Sequence, residues 1–565
     1  MSGRGLLDWL ADPDPRHGLR FLGASGSWER LSYPTLAALA LGTAERLRAD
    51  GVSPGDVVGL TADAGPGFLT GLYGILAAGA TPAPLAPPAL FERGELARDR
   101  LRGQLLTSGA VRVVADPCWA DVLRPLVPVV GTLLETGSSS STPPRCPPSR
   151  VLVQFTSGSG GRPKAVNVPL DALEANVAAI RDWLRMGPDD ATASWLPPYH
   201  DMGLVGCLLT PVTYGGDLWV MSPRQFVRDP VAWLACFGEH RARLTAAPAF
   251  GLAHVVRRVK PGQLDGLGWD LRAWRALITG AERVDPVVVE RFVALLAPHG
   301  FLAHAVLPAY GLAEATLAVT GVPPGRGLRV RRVDRHTLVA GRRVRPVPVR
   351  TAVPTPASTP TPALDAAVDR ALDLVGCGAP LVASSAVGVV DAAGRPLPDE
   401  YVGEITVTGP ALASGYLRAE EEEEKDGDRT SAFNGGVLRT GDLGFRSDGE
   451  LFVLGRLGDA VKCRGRVVLA EDVEGALAGV PELAGARPVV LLGVRHGVPT
   501  ALVVAERRSG PWCAAAVEAV RRRGEGLDVR VIAGGPGTIL RTTSGKPRRR
   551  AMWDATAERA CADDR

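Results

Sequence analysis

Residues Val151–Lys164 (VLVQFTSGSGGRPK) run a short apolar segment into a turn rich in Thr, Ser and Gly, and then into a lysine. Glycines let a backbone approach an anion closely, hydroxyl and N–H groups donate to phosphate oxygens, and Lys164 adds a point charge. The spacing is not that of a Walker loop, because the lysine follows Arg-Pro rather than the last glycine. Five further segments are short, glycine-bearing and set with polar groups. Trp195–Leu204 (WLPPYHDMGL) sets His200 beside Asp201 ahead of an apolar run. Leu277–Glu282 (LITGAE) ends a strand-like run at Gly280-Ala281-Glu282. Pro308–Thr316 (PAYGLAEAT) offers the ring of Tyr310, a tight turn at Gly311 and the carboxylate of Glu314. Arg439–Gly444 (RTGDLG) carries an isolated Asp442, and Arg541–Pro547 (RTTSGKP) sets Lys546 on a loop with no marked regular structure.

Such loops need elements to hold them. From Leu36 to Pro87 helical patterns alternate with apolar runs such as Val57–Leu60. The alternation returns after Lys164, with a helical stretch near Asp171–Trp183, the run Ala191–Leu196 and a glycine-rich turn. This order predicts parallel sheets covered by helices. At 565 residues the chain exceeds one hydrophobic core, so two or three packed units are expected. Gly137–Ser149 and Thr351–Pro362 read as Ser/Pro and Thr/Pro connectors, and Glu420–Glu424 as a solvated acidic turn. Gly455, Gly458 and Gly465 punctuate a charged stretch that predicts a boundary at Arg456, with a small α/β unit beyond it.

Taken in order and spacing, these segments resemble the adenylate-forming superfamily of acyl-CoA synthetases, peptide-synthetase adenylation domains and luciferases, over about residues 30 to 552. Within it the phrases WLPPYHDMGL, VMSP (220–223) and PAYGLAEATL, with the lengthened Gly321–Gly376 stretch, resemble the fatty acyl-AMP ligases. That resemblance implies an α/β fold. Its large N-terminal domain (1–456) holds parallel-sheet α/β subdomains and a distorted β-barrel subdomain; a small mobile C-terminal α/β domain (457–565) carries the catalytic lysine. ATP and Mg²⁺ are the implied cofactors. Thr156, Ser157, Gly158, Ser159, Gly160 and Lys164 would hold the β- and γ-phosphates, and Glu314 the metal. Tyr310 and Gly311 with Gly280, Ala281 and Glu282 would enclose adenine. Asp442 would accept from the ribose hydroxyls, and Arg456 would steady ribose or phosphate. Catalytic roles fall to Lys546, His200 and Glu314, and Gly458 occupies the hinge position. The pattern departs from the family at Gly160, which lacks a threonine hydroxyl, at Ala165, and at Val468–Ala470, which stand in place of a His-Tyr-Pro stretch.

The activity implied is conversion of a fatty acid and ATP to acyl-AMP and pyrophosphate. The acyl group then passes to the phosphopantetheine of a separate acyl carrier protein, in lipid, polyketide or lipopeptide biosynthesis. A separate carrier is expected because only about fifteen residues follow Arg550. A fatty acyl-CoA ligase and a degenerate nucleotide-binding relative are the rivals; the lengthened 321–376 stretch opposes the first, and intact Glu314, Asp442 and Lys546 oppose the second. Net charge is +4, yet residues 457–565 hold 18 Lys+Arg against 13 Asp+Glu, which suits an acidic partner. No nucleic-acid reader motif accompanies the basic clusters. Neither a signal pattern nor a run of about 18 apolar residues is present, so a cytoplasmic protein without integral membrane association is expected. The eight cysteines form no C-x-x-C pair and read as reduced thiols. Cys207, where relatives carry glycine, predicts a narrowed acyl tunnel behind Tyr199–Leu209.

Overall fold

Short apolar runs, each stopped by glycine, proline or a small polar residue, build the central sheet. In the computed structural model its nine strands run in the order Ala379–Pro380, Ala318–Gly321, Val306–Gly311, Ala276–Thr279, Leu244–Ala246, Thr192–Ser194, Leu218–Val220, Gly18–Leu22 and Trp28–Ser32. The six strands from Val306–Gly311 to Gly18–Leu22 are parallel, and antiparallel strands close both edges. The structure describes residues 5–88, 94–132, 149–156, 164–260, 262–347, 371–382, 384–417, 433–463, 466–477, 480–483, 486–524, 526–542 and 545–563. Ser157–Gly160, Thr351–Pro362, Glu420–Glu424, Arg464 and Gly465 fall outside them, as does all of 137–149 except Ser149.

A second, four-stranded parallel sheet contains Val57–Thr61, one residue longer than the run read from sequence. Helix Pro66–Ala77 beside it is apolar on every side and buried along nearly its whole length, as befits a core helix. Helix Leu170–Leu184 matches the expected helical stretch. The strand expected over Ala191–Leu196 shrinks to Thr192–Ser194. There the Ser194 hydroxyl takes the Leu196 N–H, and Pro197 and Pro198 follow with no N–H to offer a ladder.

Between these sheets and the C-terminal region lies an antiparallel sheet of Ala386–Val390, Gly403–Thr408, Val437–Ser447, Phe433–Asn434 and Glu450–Arg456. Register shifts at Glu404/Thr406 and Leu443/Gly444 bend it, because each bulge adds local twist. This curled sheet answers to the distorted barrel expected from the resemblance. From Val461 onward the chain builds a core of its own around Val473, Val490, Val503, Trp512 and Val520. The strands there are Val489–Arg495, Val498–Ala505 and Asp528–Ala533, the last two parallel and joined over helix Trp512–Arg523. Cys118, Cys207, Cys236, Cys377, Cys463 and Cys513 are free.

Candidate active site

Strands Arg150–Thr156 and Lys164–Pro169 form a hairpin in which Thr156 pairs with Lys164, so the two ends of the phosphate-loop candidate lie side by side. A third strand, Gly415–Leu417, pairs with the lysine-bearing strand and places Tyr416 opposite Val166. Lys164 Nζ sits 5.1 Å from the centre of the Tyr416 ring, a cation–π contact. The Tyr416 hydroxyl donates to Glu314 Oε1 at 2.8 Å. One phenol therefore links the Lys164 ammonium to the Glu314 carboxylate and leaves Glu314 further acceptor sites.

Glu314 sits on the tight turn Ala313–Ala315, whose next residue, Thr316, has φ of 65° and ψ of −56°, unusual for a β-branched residue. Three contacts hold that conformation. The Thr316 hydroxyl donates to Ala411 O at 2.8 Å, Gln154 Nε2 donates to Thr316 O at 3.0 Å, and Ala413 N donates to Glu314 O at 2.9 Å. Strain maintained by surrounding bonds is common at functional sites. Gly311 is demanded by proximity, since a Cβ there would lie 2.0 Å from Leu317 O.

At the end of the Val306–Gly311 strand the Tyr310 hydroxyl donates to Asp442 Oδ2 at 2.7 Å. Asp442 and Arg456 are cross-strand partners, and Arg456 Nε lies 3.1 Å from Asp442 Oδ1. Burial, reinforced by the Asp442 charge, pushes the Tyr310 hydroxyl well above its ordinary pKa, so it stays a donor. A carboxylate offers about four acceptor sites, and these two contacts leave Asp442 room for two more. Gly280-Ala281-Glu282 follows the Ala276–Thr279 strand; Ala281 is left-handed at φ 66°, and Glu282 Oε1 accepts from Phe250 N at 2.6 Å. That bond satisfies a free N–H in the first turn of helix Ala249–Arg258.

His200 Nδ1 lies 2.6 Å from Asp201 Oδ1. Asp201 also accepts from Met202 N at 2.7 Å, where the chain enters a π-helix, Met202–Leu209. Gly203 permits this entry, because a Cβ there would lie 2.3 Å from Pro197 O. The wider i→i+5 winding sets Met202, Gly206 and Cys207 together on the cleft wall. Burial would raise the Asp201 carboxyl, but the His200 imidazole, then the Lys546 ammonium and the Met202 N–H, hold it below its ordinary pKa. Lys546 therefore comes close to the His200–Asp201 pair. Its loop is tied down by Thr542 N to Lys546 O at 2.7 Å and Lys546 N to Thr542 Oγ1 at 3.1 Å.

Every described residue singled out from sequence lines one continuous cleft: Thr156, Lys164, His200, Gly280, Ala281, Glu282, Tyr310, Gly311, Glu314, Asp442, Arg456, Gly458 and Lys546. Tyr199, Cys207, Ile278, Trp183 and Met186 make up an apolar portion of its lining, the apolar arm. The reading from sequence missed Gln154, Thr316 and Tyr416, which act through contacts across roughly 100 to 160 residues of chain. Gln154 and Thr316 lie inside motif segments already marked, and the phrase Gly415-Tyr416-Leu417 was the local signal for Tyr416. The basic clusters do not form uniform faces. Arg521 and Arg522 are exposed, whereas Arg523 is half-buried at the cleft. Arg549 is tied to Asp459 at 3.1 Å and Glu474 at 2.9 Å, with Arg550 exposed beside it.

A parallel sheet whose strand ends converge on one cleft, with a lysine brought in from the C-terminal region, defines an adenylate-forming ligase, an enzyme that activates acids with ATP. The chain belongs to the AMP-binding enzyme family, whose sequence profile matches residues 13–417. It is 31% identical over 579 aligned positions to the long-chain-fatty-acid–AMP ligase FadD26 of Mycobacterium marinum, covering 97% of this chain and 93% of that one. It is 35% identical over 324 positions to the medium-chain-fatty-acid–[acyl-carrier-protein] ligase JamA of Moorena producens, covering 57% and 52%. The fatty acyl-adenylate ligase from L. pneumophila, solved in complex with acyl adenylate and pyrophosphate, superposes with a TM-score of 0.71 at 26% identity, covering 98% of this chain and 96% of that one. Among the described residues no helix is long and apolar enough to cross a membrane.

Proposed function

We propose that this enzyme converts a fatty acid and ATP to acyl-AMP and pyrophosphate, and then delivers the acyl group to the phosphopantetheine thiol of an acyl carrier protein. A carboxylate oxygen of the acid attacks the α-phosphorus, and the bond from that phosphorus to the bridging oxygen breaks as pyrophosphate leaves. The acyl chain lies in the apolar arm past Cys207, its carboxylate beside His200. Lys546 meets the negative charge that builds at the α-phosphate. Asp442 accepts from ribose, Tyr310 and the Gly280–Glu282 turn flank adenine, and Thr156 and Lys164 face the outer phosphates. Glu314 would hold Mg²⁺ through a carboxylate oxygen, and the bound ion would supply neutralisation of phosphate charge; one carboxylate would suffice for a cation that takes other ligands from phosphates and water.

The observation that carries this reading is the convergence of Lys546, Glu314 and the Tyr310–Asp442 pair on one cleft whose lining also includes the apolar residues Cys207, Ile278, Trp183 and Met186. Similarity to a fatty-acid–AMP ligase over nearly the whole chain supports the substrate class, and similarity to a carrier-protein ligase supports the acceptor. Residues 457–565 serve in this reading as the unit that turns about Gly458 between the two steps. The direct test is pyrophosphate release across a fatty-acid panel, with and without CoA. Release with fatty acids and no acyl-CoA is expected; accumulation of acyl-CoA would make the enzyme a CoA ligase.

Acceptor docking gives a second expected result. Carrier proteins are acidic, and Arg521 and Arg522 project from the last turn of helix Trp512–Arg523. Reversing both to glutamate is expected to slow acyl transfer about tenfold through lost electrostatic steering, with pyrophosphate release unchanged. Equal slowing of both steps would remove this surface from the docking site.

A further inference from the structure

Lys546 is carried by the C-terminal unit and lines the cleft, and ties at Asp472 and Arg487 join that unit to the large one away from Gly458. Arg283 Nη1 lies 2.5 Å from Asp472 Oδ1, with both side chains about 20% exposed. Arg283 follows the Gly280–Glu282 turn, and Asp472 sits in the first turn of helix Ala470–Leu477, just past the hinge. Arg487 makes the second tie, donating to Phe250 O at 3.2 Å with its guanidinium 5.6 Å from the Phe250 ring. Phe250 in turn donates to Glu282, so both ties converge on the same turn of the large unit.

A third arginine gives the pair its significance. Arg523, at the end of helix Trp512–Arg523, lines the cleft with Arg283 and Asp472, and its Nη1 is buried without a hydrogen-bond partner among the described residues. Arg523 shares the cleft lining with Arg283, and its pKa is lowered first by burial and then by the charge of Arg283, so the two cations act on each other across the boundary between units. The remaining acids of the region, Glu471, Glu474 and Asp459, surround Arg549 instead. Asp472 is thus the carboxylate that bonds Arg283 while Arg523 presses on it with like charge.

We propose that Asp472 is a positioning residue for adenylation: its ion pair with Arg283 offsets the Arg283–Arg523 repulsion and latches the C-terminal unit in the pose that presents Lys546. This rests on the adenylation reading above. Neutralising Asp472 leaves two like-charged guanidinium groups in the same cleft lining, which favours undocking, so Lys546 spends less time in place. A half-buried charge-assisted pair of this kind corresponds to about a tenfold effect.

The test is ATP–pyrophosphate exchange with a fatty acid, alongside hydrogen–deuterium exchange of helices Ala249–Arg258 and Ala470–Leu477. Asp472→Asn is expected to lower kcat about tenfold, leave KM for ATP within about twofold, and raise exchange of both helices. The double variant Asp472→Asn, Arg523→Gln removes the repulsion and is expected to recover most of the lost kcat. Unchanged kcat in Asp472→Asn, a loss confined to KM, or no recovery in the double variant would overturn the latch. Thermal unfolding distinguishes a latch from damage, since a folding defect would not be repaired at Arg523. Absence of exchange with any acid in the unaltered enzyme would sink the adenylation reading instead, and helix protection would then still report whether Asp472 docks the unit.

Discussion

Lys546→Ala is expected to slow acyl-AMP formation by about 10²–10³-fold, the usual loss when one preorganised donor to developing charge is removed. The expectation follows from position. The loop is closed by bonds between Thr542 and Lys546, and the ammonium bears on Asp201 beside His200, where the acid's carboxylate is read to lie. ATP affinity should change little, because the outer phosphates and the nucleoside are assigned to Lys164, Thr156 and the Tyr310–Asp442 pair. Pre-steady-state pyrophosphate release measures the first quantity and calorimetric titration with ATP the second. A rate within a few-fold of the unaltered enzyme would remove Lys546 from the chemical step. Lys546→Arg keeps the charge but not the compact ammonium, and it should recover only part of the rate.

The second large effect is expected at Asp442. Substitution by alanine removes the acceptor for the buried Tyr310 hydroxyl, the ion-pair partner of Arg456, and the two free acceptor sites assigned to ribose. An unpaired buried hydroxyl costs roughly 1–3 kcal/mol, and each lost charge-assisted bond to ligand about 1.5–3 kcal/mol. Lower thermal stability and at least a tenfold weaker ATP affinity should appear together. Asp442→Asn separates them. The amide oxygen still accepts from Tyr310, so stability should largely return, while ATP binding stays weakened because the charge is gone. ATP affinity left intact in Asp442→Ala would refute the ribose assignment, whatever happens to stability.

Several motif loops were legible because they mark where a strand ends and the backbone must turn, as at Thr279 before Gly280, at Gly311 and at Arg456 before Leu457-Gly458, whereas Asp442 lies within Val437–Ser447 beside a bulge. Glycine and small polar residues signal such places locally, and the strand topology then carries them to one cleft. What joins the loops was not legible. Tyr416 reaches Glu314 across 102 residues, and Arg283 reaches Asp472 across 189. Neither pairing leaves a periodic trace in the chain. The run MGLVGCLL is apolar throughout, so its pattern could not separate i→i+5 from i→i+4 winding. Arg521–Arg523 and Arg548–Arg550 looked like uniform basic patches. Helical geometry sends successive side chains in different directions, which put Arg523 and Arg549 inward and their neighbours outward.

The Tyr416 bridge makes Lys164 and Glu314, the residues proposed to meet the outer phosphates and the cation, partners in one electrostatic circuit. Damage to either end would be transmitted through the phenol, so the losses from Lys164→Ala and Glu314→Gln should not sum in the double variant, and Tyr416→Phe should uncouple them. A thermodynamic cycle over these residues would report communication between phosphate grip and cation grip in a single energy.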